Sequence, residues 1–96
     1  MEKLTISSIK EPTWEVEIKD GLTVNLVSPM KGDIESLTVV DYRDPEKVYE
    51  VIASILSRNI EGKTVTAADI GHWSIYVIRV FINNYKKFMF QDDDPN

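Results

Sequence analysis

Few residues of this 96-residue chain have the types and spacing that catalysis requires. His72 is the only histidine, the one side chain whose ordinary pKa suits proton transfer near neutral pH. It falls on the polar arc of a helix with no acid or nucleophile spaced to pair with it, so it reads as a solvent-exposed residue. Asp41 and Asp44 invite comparison with a metal pair, but a hard cation needs further oxygen ligands and none follows at suitable spacing. Asp44 already has a role as the capping residue ahead of Pro45-Glu46. The run Asp92, Asp93 and Asp94 lacks the alternating, glycine-bent arrangement of a calcium loop and reads as a solubilising tail. None of the serines at 7, 8, 28, 36, 54, 57 and 74 sits in a glycine-framed elbow, and the four glycines are too scattered to cradle a phosphate. With no cysteine, thiolate catalysis and thiolate metal sites are absent too. The expectation is a protein that is not an enzyme, without catalytic residues, metal or cofactor.

Those residues are carried by a chain long enough for one core and too short for two. A 43% hydrophobic content with 28% charged residues suits a single globular domain over residues 1–90, followed by a disordered acidic tail over 91–96. The start Met1-Glu2-Lys3-Leu4-Thr5 does not read as a secretory signal, and the lack of cysteine suits a reducing cytoplasm. The net charge of −5 is uneven: −4 over residues 1–66, +2 over 67–90 and −3 over the last six. An acidic total argues against a nucleic-acid partner bound through phosphate neutralisation. Arg79, Asn83, Asn84, Lys86 and Lys87 interrupt the only long apolar segment, which argues against a membrane span.

The expected fold class is α+β, an N-terminal hairpin packed with two to three helices of which the last is long and central. Trp14, Val16 and Ile18 alternate with charged residues, and Leu22, Val24 and Leu26 alternate with polar ones. A three-residue loop Lys19-Asp20-Gly21 pairs Ile18 with Leu22, Val16 with Val24 and Trp14 with Leu26, gathering the apolar set on one face. Residues 4–9 are a candidate third strand. Ser28-Pro29 opens a short helix weakened by Gly32, with Met30, Ile34 and Leu37 at helical spacing. Asp44-Pro45-Glu46 opens a stronger one to about Arg58, burying Val48, Val51, Ile52, Ile55 and Leu56. Thr66, with Asp69 three residues on, caps the last helix.

That last helix is expected to run unbroken over residues 67–90, about 36 Å at 1.5 Å per residue. With Trp73 at zero and 100° per residue, Ile70, Val77, Val80, Phe81 and Phe88 fall between about −20° and 80°, a stripe suited to the chain's own interior. Ile75, Ile78, Ile82, Tyr85 and Met89 form a second stripe between about 120° and 200°. Two readings stand for that second stripe: the hairpin covers it, or another protein or a second copy of the chain does. On the second reading these five residues are the protein interface.

The order and texture of the elements resemble the small tail assembly chaperones of long-tailed bacteriophages and prophages of Gram-positive hosts. The resemblance is carried by Trp-Glu-Val-Glu-Ile-Lys-Asp-Gly-Leu-Thr-Val over 14–24, then Ser28-Pro29, then Val-Ile-Ala-Ser-Ile-Leu-Ser-Arg-Asn-Ile-Glu-Gly-Lys-Thr-Val-Thr over 51–66. The segment 73–88, ending in Ile-Asn-Asn-Tyr-Lys-Lys-Phe, completes it. It implies a non-enzymatic protein of the bacterial host's cytoplasm that binds the tape-measure protein, helps recruit tail-tube subunits and often self-associates, some members also being made as a longer frameshifted product. The family supplies no binding residues to carry over. The alternative is a small acidic inhibitor or antitoxin-like protein whose carboxylates bind a basic partner, motivated by the charge of −5.

Overall fold

The alternation of residues 14–26 folds as an antiparallel hairpin, β1 (Trp14–Lys19) and β2 (Leu22–Leu26), in a computed structural model that describes residues 2–90. The tail 91–96, expected to be disordered, lies outside the described residues. Trp14 pairs with Leu26 and Val16 with Val24, as the alternation predicts. Near the turn the pairing differs: Lys19, not Ile18, faces Leu22, and Ile18 is the extra residue of a bulge. The bulge reconciles a tight turn with a one-sided apolar face, since an unbulged two-residue turn would put the two apolar sets on opposite faces. Gly21, at φ 82°, takes the left-handed position that costs an L-residue about 1–2 kcal/mol.

Residues 4–9 do not form the third strand. They hold a single 3-10 turn (Ile6–Ser8) in which the Ser8 hydroxyl donates to the Thr5 carbonyl at 2.8 Å. That local bond competes with strand pairing. The outer edge of β2 is instead occupied by the chain around residues 58–61. Val27 N–H donates to the Arg58 carbonyl at 3.3 Å, Ile60 N–H to the Asn25 carbonyl at 3.1 Å, and both the Asn25 backbone and side-chain amides donate to the Glu61 carboxylate.

Helix α1 (Lys31–Val39) begins two residues later than Ser28-Pro29 suggests. Its start is fixed by the Asp33 carboxylate, which accepts the Met30 backbone N–H at 3.0 Å. Gly32 thus sits in the first turn, away from the helix interior where glycine costs most. Helix α2 (Pro45–Leu56) has the expected cap, Asp44 accepting the Lys47 N–H at 3.4 Å, and buries Val48, Ile52, Ala53, Ile55 and Leu56, with Val51 half-buried.

The expected single helix over 67–90 is two helices, α3 (Ala67–Ile70) and α4 (Ile75–Met89). The interruption has three visible causes. The Ser74 side chain accepts the Val77 N–H at 3.2 Å and restarts the helix as its N-cap. The Trp73 carbonyl, which would otherwise continue the ladder, accepts the Tyr49 hydroxyl of α2 at 2.7 Å. Trp73 itself turns into the core, its ring 5.6 Å from that of Phe81. Helix α4 is still the longest element and supplies Ile78, Phe81, Ile82 and Tyr85 to the interior. From the hairpin, Trp14 stacks on Phe81 at 5.6 Å and lies 5.9 Å from Phe88.

An ion pair ties the hairpin to α3, with Lys19 Nζ 2.8 Å from Asp69 Oδ1. The other oxygen of Asp69 accepts the Thr66 N–H at 2.9 Å and the Thr66 hydroxyl at 3.1 Å. Lys19 first, and the two Thr66 donors after it, hold the Asp69 carboxyl down from its ordinary 3.8 to about 2. A carboxylate depressed by folding stabilises the native state above its unfolded pKa, and that stabilisation is lost as pH falls through the folded value. Asp69→Asn should therefore melt at a lower temperature than the wild type at pH 6, and the gap should narrow as pH falls from 4 to 2. Thermal melts across that range check it; a gap undiminished at pH 2 would assign the loss to something other than the charge.

Candidate protein-docking groove

The side chains first considered for chemistry are accounted for by local structure. His72 is exposed in the interruption between α3 and α4. Asp41 accepts the Arg43 backbone N–H at 3.0 Å and its Nε at 3.1 Å, bonds that lower the Asp41 pKa, and Asp44 caps α2. Among the described residues no three His, Cys, Asp or Glu side chains are grouped to hold a metal, and no helix is long and apolar enough to cross a membrane.

The five residues of the second stripe separate by burial. Ile78, Ile82 and Tyr85 are 5%, 9% and 1% exposed and belong to the chain's own core, whereas Ile75 is 58% exposed and Met89 half-buried. As a free surface the stripe thus reduces to its two ends. On the other stripe Phe81 is buried and Phe88 half-buried under Trp14, but Val77 and Val80 are exposed. The buried arc of α4 runs from Phe88 at about 60° to Ile82 at about 180° and straddles both stripes. Helix α4 has core neighbours on two sides, the hairpin on one and α1 with the start of α2 on the other, so the burial of Ile78 and Ile82 does not come from the hairpin alone.

On the α1 side the cover is incomplete. An open groove of about 460 Å³ lies between α1 and α4, with Leu37, Ile82 and Met89 at its base and Ile34 on its wall. A smaller recess of about 180 Å³, lined by Ile75, Ile78, Pro45 and Val48, shares Tyr42, Arg79 and Ile82 with it. Four residues of the predicted interface thus line these two neighbouring depressions, Ile82 and Met89 the larger and Ile75, Ile78 and Ile82 the smaller; Tyr85 is buried and lines neither. Tyr42 closes one side, its hydroxyl bonded to the Leu37 carbonyl, and partial burial raises its pKa. Arg79, Asn83 and Lys86 form the opposite rim. Neither Arg79 nor Lys86 joins an ion pair among the described residues, although the chain as a whole is acidic.

The α1 wall is held by one buried-side ion pair. Asp33 Oδ2 lies 3.0 Å from Arg58 Nε at the end of α2, and the Asp33 side chain is only 12% exposed. Tyr85 sits beside this pair. Burial is the first cause raising its pKa, the negative charge of Asp33 adds to it, and Arg58 opposes.

The helical spacing marks the α4 residues that line the groove and does not mark its other wall. The spacing of Ile34 and Leu37 marks a helix face without saying which helix it meets. Tyr42 has no sequence signal of any kind. A second cluster on α4, Tyr76 at 74% with Val77 and Val80 at about 40%, is open to solvent, although the helical spacing places Val77 and Val80 on the interior stripe. Neither a protein-family model, nor a curated protein, nor a solved structure matches this chain.

Proposed function

We propose that the protein is a non-enzymatic binding protein of the phage tail assembly chaperone type, holding an apolar segment of the tape-measure protein in the α1–α4 groove. The observation that carries this reading is the groove itself: an apolar base of Leu37, Ile82 and Met89 beside two cationic residues that lack acidic partners among the described residues. A depression of that size and lining suits an amphipathic helix, whose apolar side chains enter the base while acidic ones meet Arg79 and Lys86. Recruitment of tail-tube subunits, cytoplasmic action in the bacterial host and self-association belong to the same reading.

The test is co-expression with the tape-measure protein of a long-tailed phage of a Gram-positive host. The wild type should keep that long helical protein soluble and co-elute with it. Ile34→Asp, a change on the wall at a residue 39% exposed, should abolish the complex and leave the fold intact. An apolar base predicts that the complex survives high salt. A complex that dissolves as salt rises would favour the acidic-inhibitor alternative, because exposed charge pairs are screened within about 8–10 Å at ordinary ionic strength. No complex at all, or one indifferent to Ile34→Asp, would refute the groove reading.

A further inference from the structure

The hairpin has one covered edge and one open edge. On β2, Asn25 and Val27 turn their backbone groups outward to Ile60 and Arg58. In an antiparallel ladder the alternation then makes Trp14↔Leu26 and Val16↔Val24 the hydrogen-bonded pairs, and Glu15 and Glu17 turn their N–H and C=O groups away from β2. Those groups have no backbone partner among the described residues, and the sheet ends at β1. Past that edge α4 is uncovered as well. Trp14 stacks on Phe81 and shares an open depression of about 380 Å³ with Thr13, Asn84, Lys87 and Phe88. Val77 and Val80 precede Asn84 by seven and four residues, which places them on the same flank of the helix, and both are exposed. The two-stranded sheet thus stops one strand short of covering the helix face on which it rests.

We infer that β1 accepts a third strand from a partner protein, an extended segment in which Lys or Arg alternates with aliphatic residues. The backbone groups of Glu15 and Glu17 supply the ladder, as when an extended peptide adds to the free edge of a sheet. Side chains of the added strand alternate between the two faces as those of β1 do. The aliphatic ones fall beside Trp14 and Val16 and extend the apolar face over Val77 and Val80. The cationic ones fall beside Glu15 and Glu17, whose carboxylates are exposed and join no ion pair among the described residues; opposite charges on directly facing residues favour the pairing. The chain's own residues 4–9 are a poorer occupant. Between Leu4 and Ile9 they offer Thr5, Ser7 and Ser8 and no cation, and they are engaged in the turn that the Ser8 hydroxyl closes on Thr5. This surface lies on the hairpin flank of α4, across the buried arc from the α1–α4 groove, and the inference does not depend on the groove being occupied.

The probe is the synthetic peptide Thr-Lys-Val-Lys-Val-Lys-Thr, blocked at both ends, added to isotope-labelled protein while amide exchange is followed residue by residue by NMR. In the free protein the Glu15 and Glu17 amides should exchange faster than those of Trp14 and Val16, and saturating peptide should slow them by about tenfold or more. The same peptide N-methylated along its backbone keeps its charge and side chains but has no donors, and it should bind more weakly by about tenfold or more. Glu15→Lys/Glu17→Lys should weaken binding by a similar factor, and so should Val80→Asp; all three positions are exposed, so the melting temperature should stay close to that of the wild type. Ile34→Asp should leave peptide binding unchanged, so failure here and failure of the groove reading are separately visible. Binding that ignores N-methylation, or that leaves the Glu15 and Glu17 amides in fast exchange, is charge attraction to an acidic protein and would overturn strand addition. No binding at about 1 mM peptide would overturn it too. So would protection of both amides in the free protein, which would place the chain's own residues 4–9 at the edge.

Discussion

Ile78→Asp is expected to unfold the protein at room temperature, whereas Ile75→Asp, three residues earlier on the same helix, should leave it folded. Ile78 is 5% exposed and Ile75 58%. An aspartate forced into the Ile78 site must give up its hydration without a compensating charge, or be protonated and still lose the packing of the isoleucine. The cost is about 4 kcal/mol or more, a large share of the 5–15 kcal/mol that hold a domain of this kind together. At Ile75 the carboxylate stays in water near the N-terminus of α4, where a negative charge is tolerated or slightly favoured, so stability should change by less than about 0.5 kcal/mol. Circular dichroism with a urea titration distinguishes the two. A cooperative, wild-type-like transition for Ile78→Asp would mean that the site is open in solution. For the same reason Ile78→Asp and Ile82→Asp are poor probes of partner binding, whose loss would only report the loss of the fold; Ile34→Asp and Met89→Asp avoid this.

The elements that local physics determines were legible in the sequence. Alternation gave both strands, and the demand for a one-sided apolar face gave Trp14↔Leu26 and Val16↔Val24. Asp44-Pro45-Glu46 gave the start of α2, where cap, fixed φ and dipole agree. What escaped depended on contacts between segments distant in sequence. Residues 67–90 have helical periodicity throughout, and their interruption comes in part from Tyr49, 24 residues before Trp73, taking the carbonyl the helix would need. The third strand failed likewise: residues 4–9 have a strand-like composition, but the edge of β2 was taken by Arg58 and Ile60. The candidate site falls between these cases. Periodicity identifies Ile75, Ile78, Ile82 and Met89 as a stripe requiring cover, and the structure covers it partly, burying Ile78 and Ile82 and leaving Ile75 exposed.

Asp33→Ala should cost about 2–3 kcal/mol, with its effect concentrated on α1. The side chain does two things at once. It accepts the Met30 N–H as the α1 cap, a bond whose loss costs about 1 kcal/mol, and it pairs with Arg58, which is 35% exposed and has no other ion-pair partner among the described residues. Removing the carboxylate leaves a half-buried guanidinium unpaired beside Tyr85, which adds a penalty below the 3–5 kcal/mol of a fully buried pair. Helix α1 has little else to hold it, since Leu37 is its one buried residue. Amide exchange should therefore accelerate over Lys31–Val39 while α2 and α4 keep most of their protection, a local opening within a folded domain. Arg58→Ala should reproduce the loss of α1 docking but spare the cap, and Asp33→Asn should fall between the two. Because α1 carries Ile34 and Leu37, the same substitution should weaken whatever occupies the groove without altering a groove-lining side chain. Uniform loss of protection across α1, α2 and α4 would instead make α1 part of one cooperative unit, and its wall of the groove as rigid as the rest.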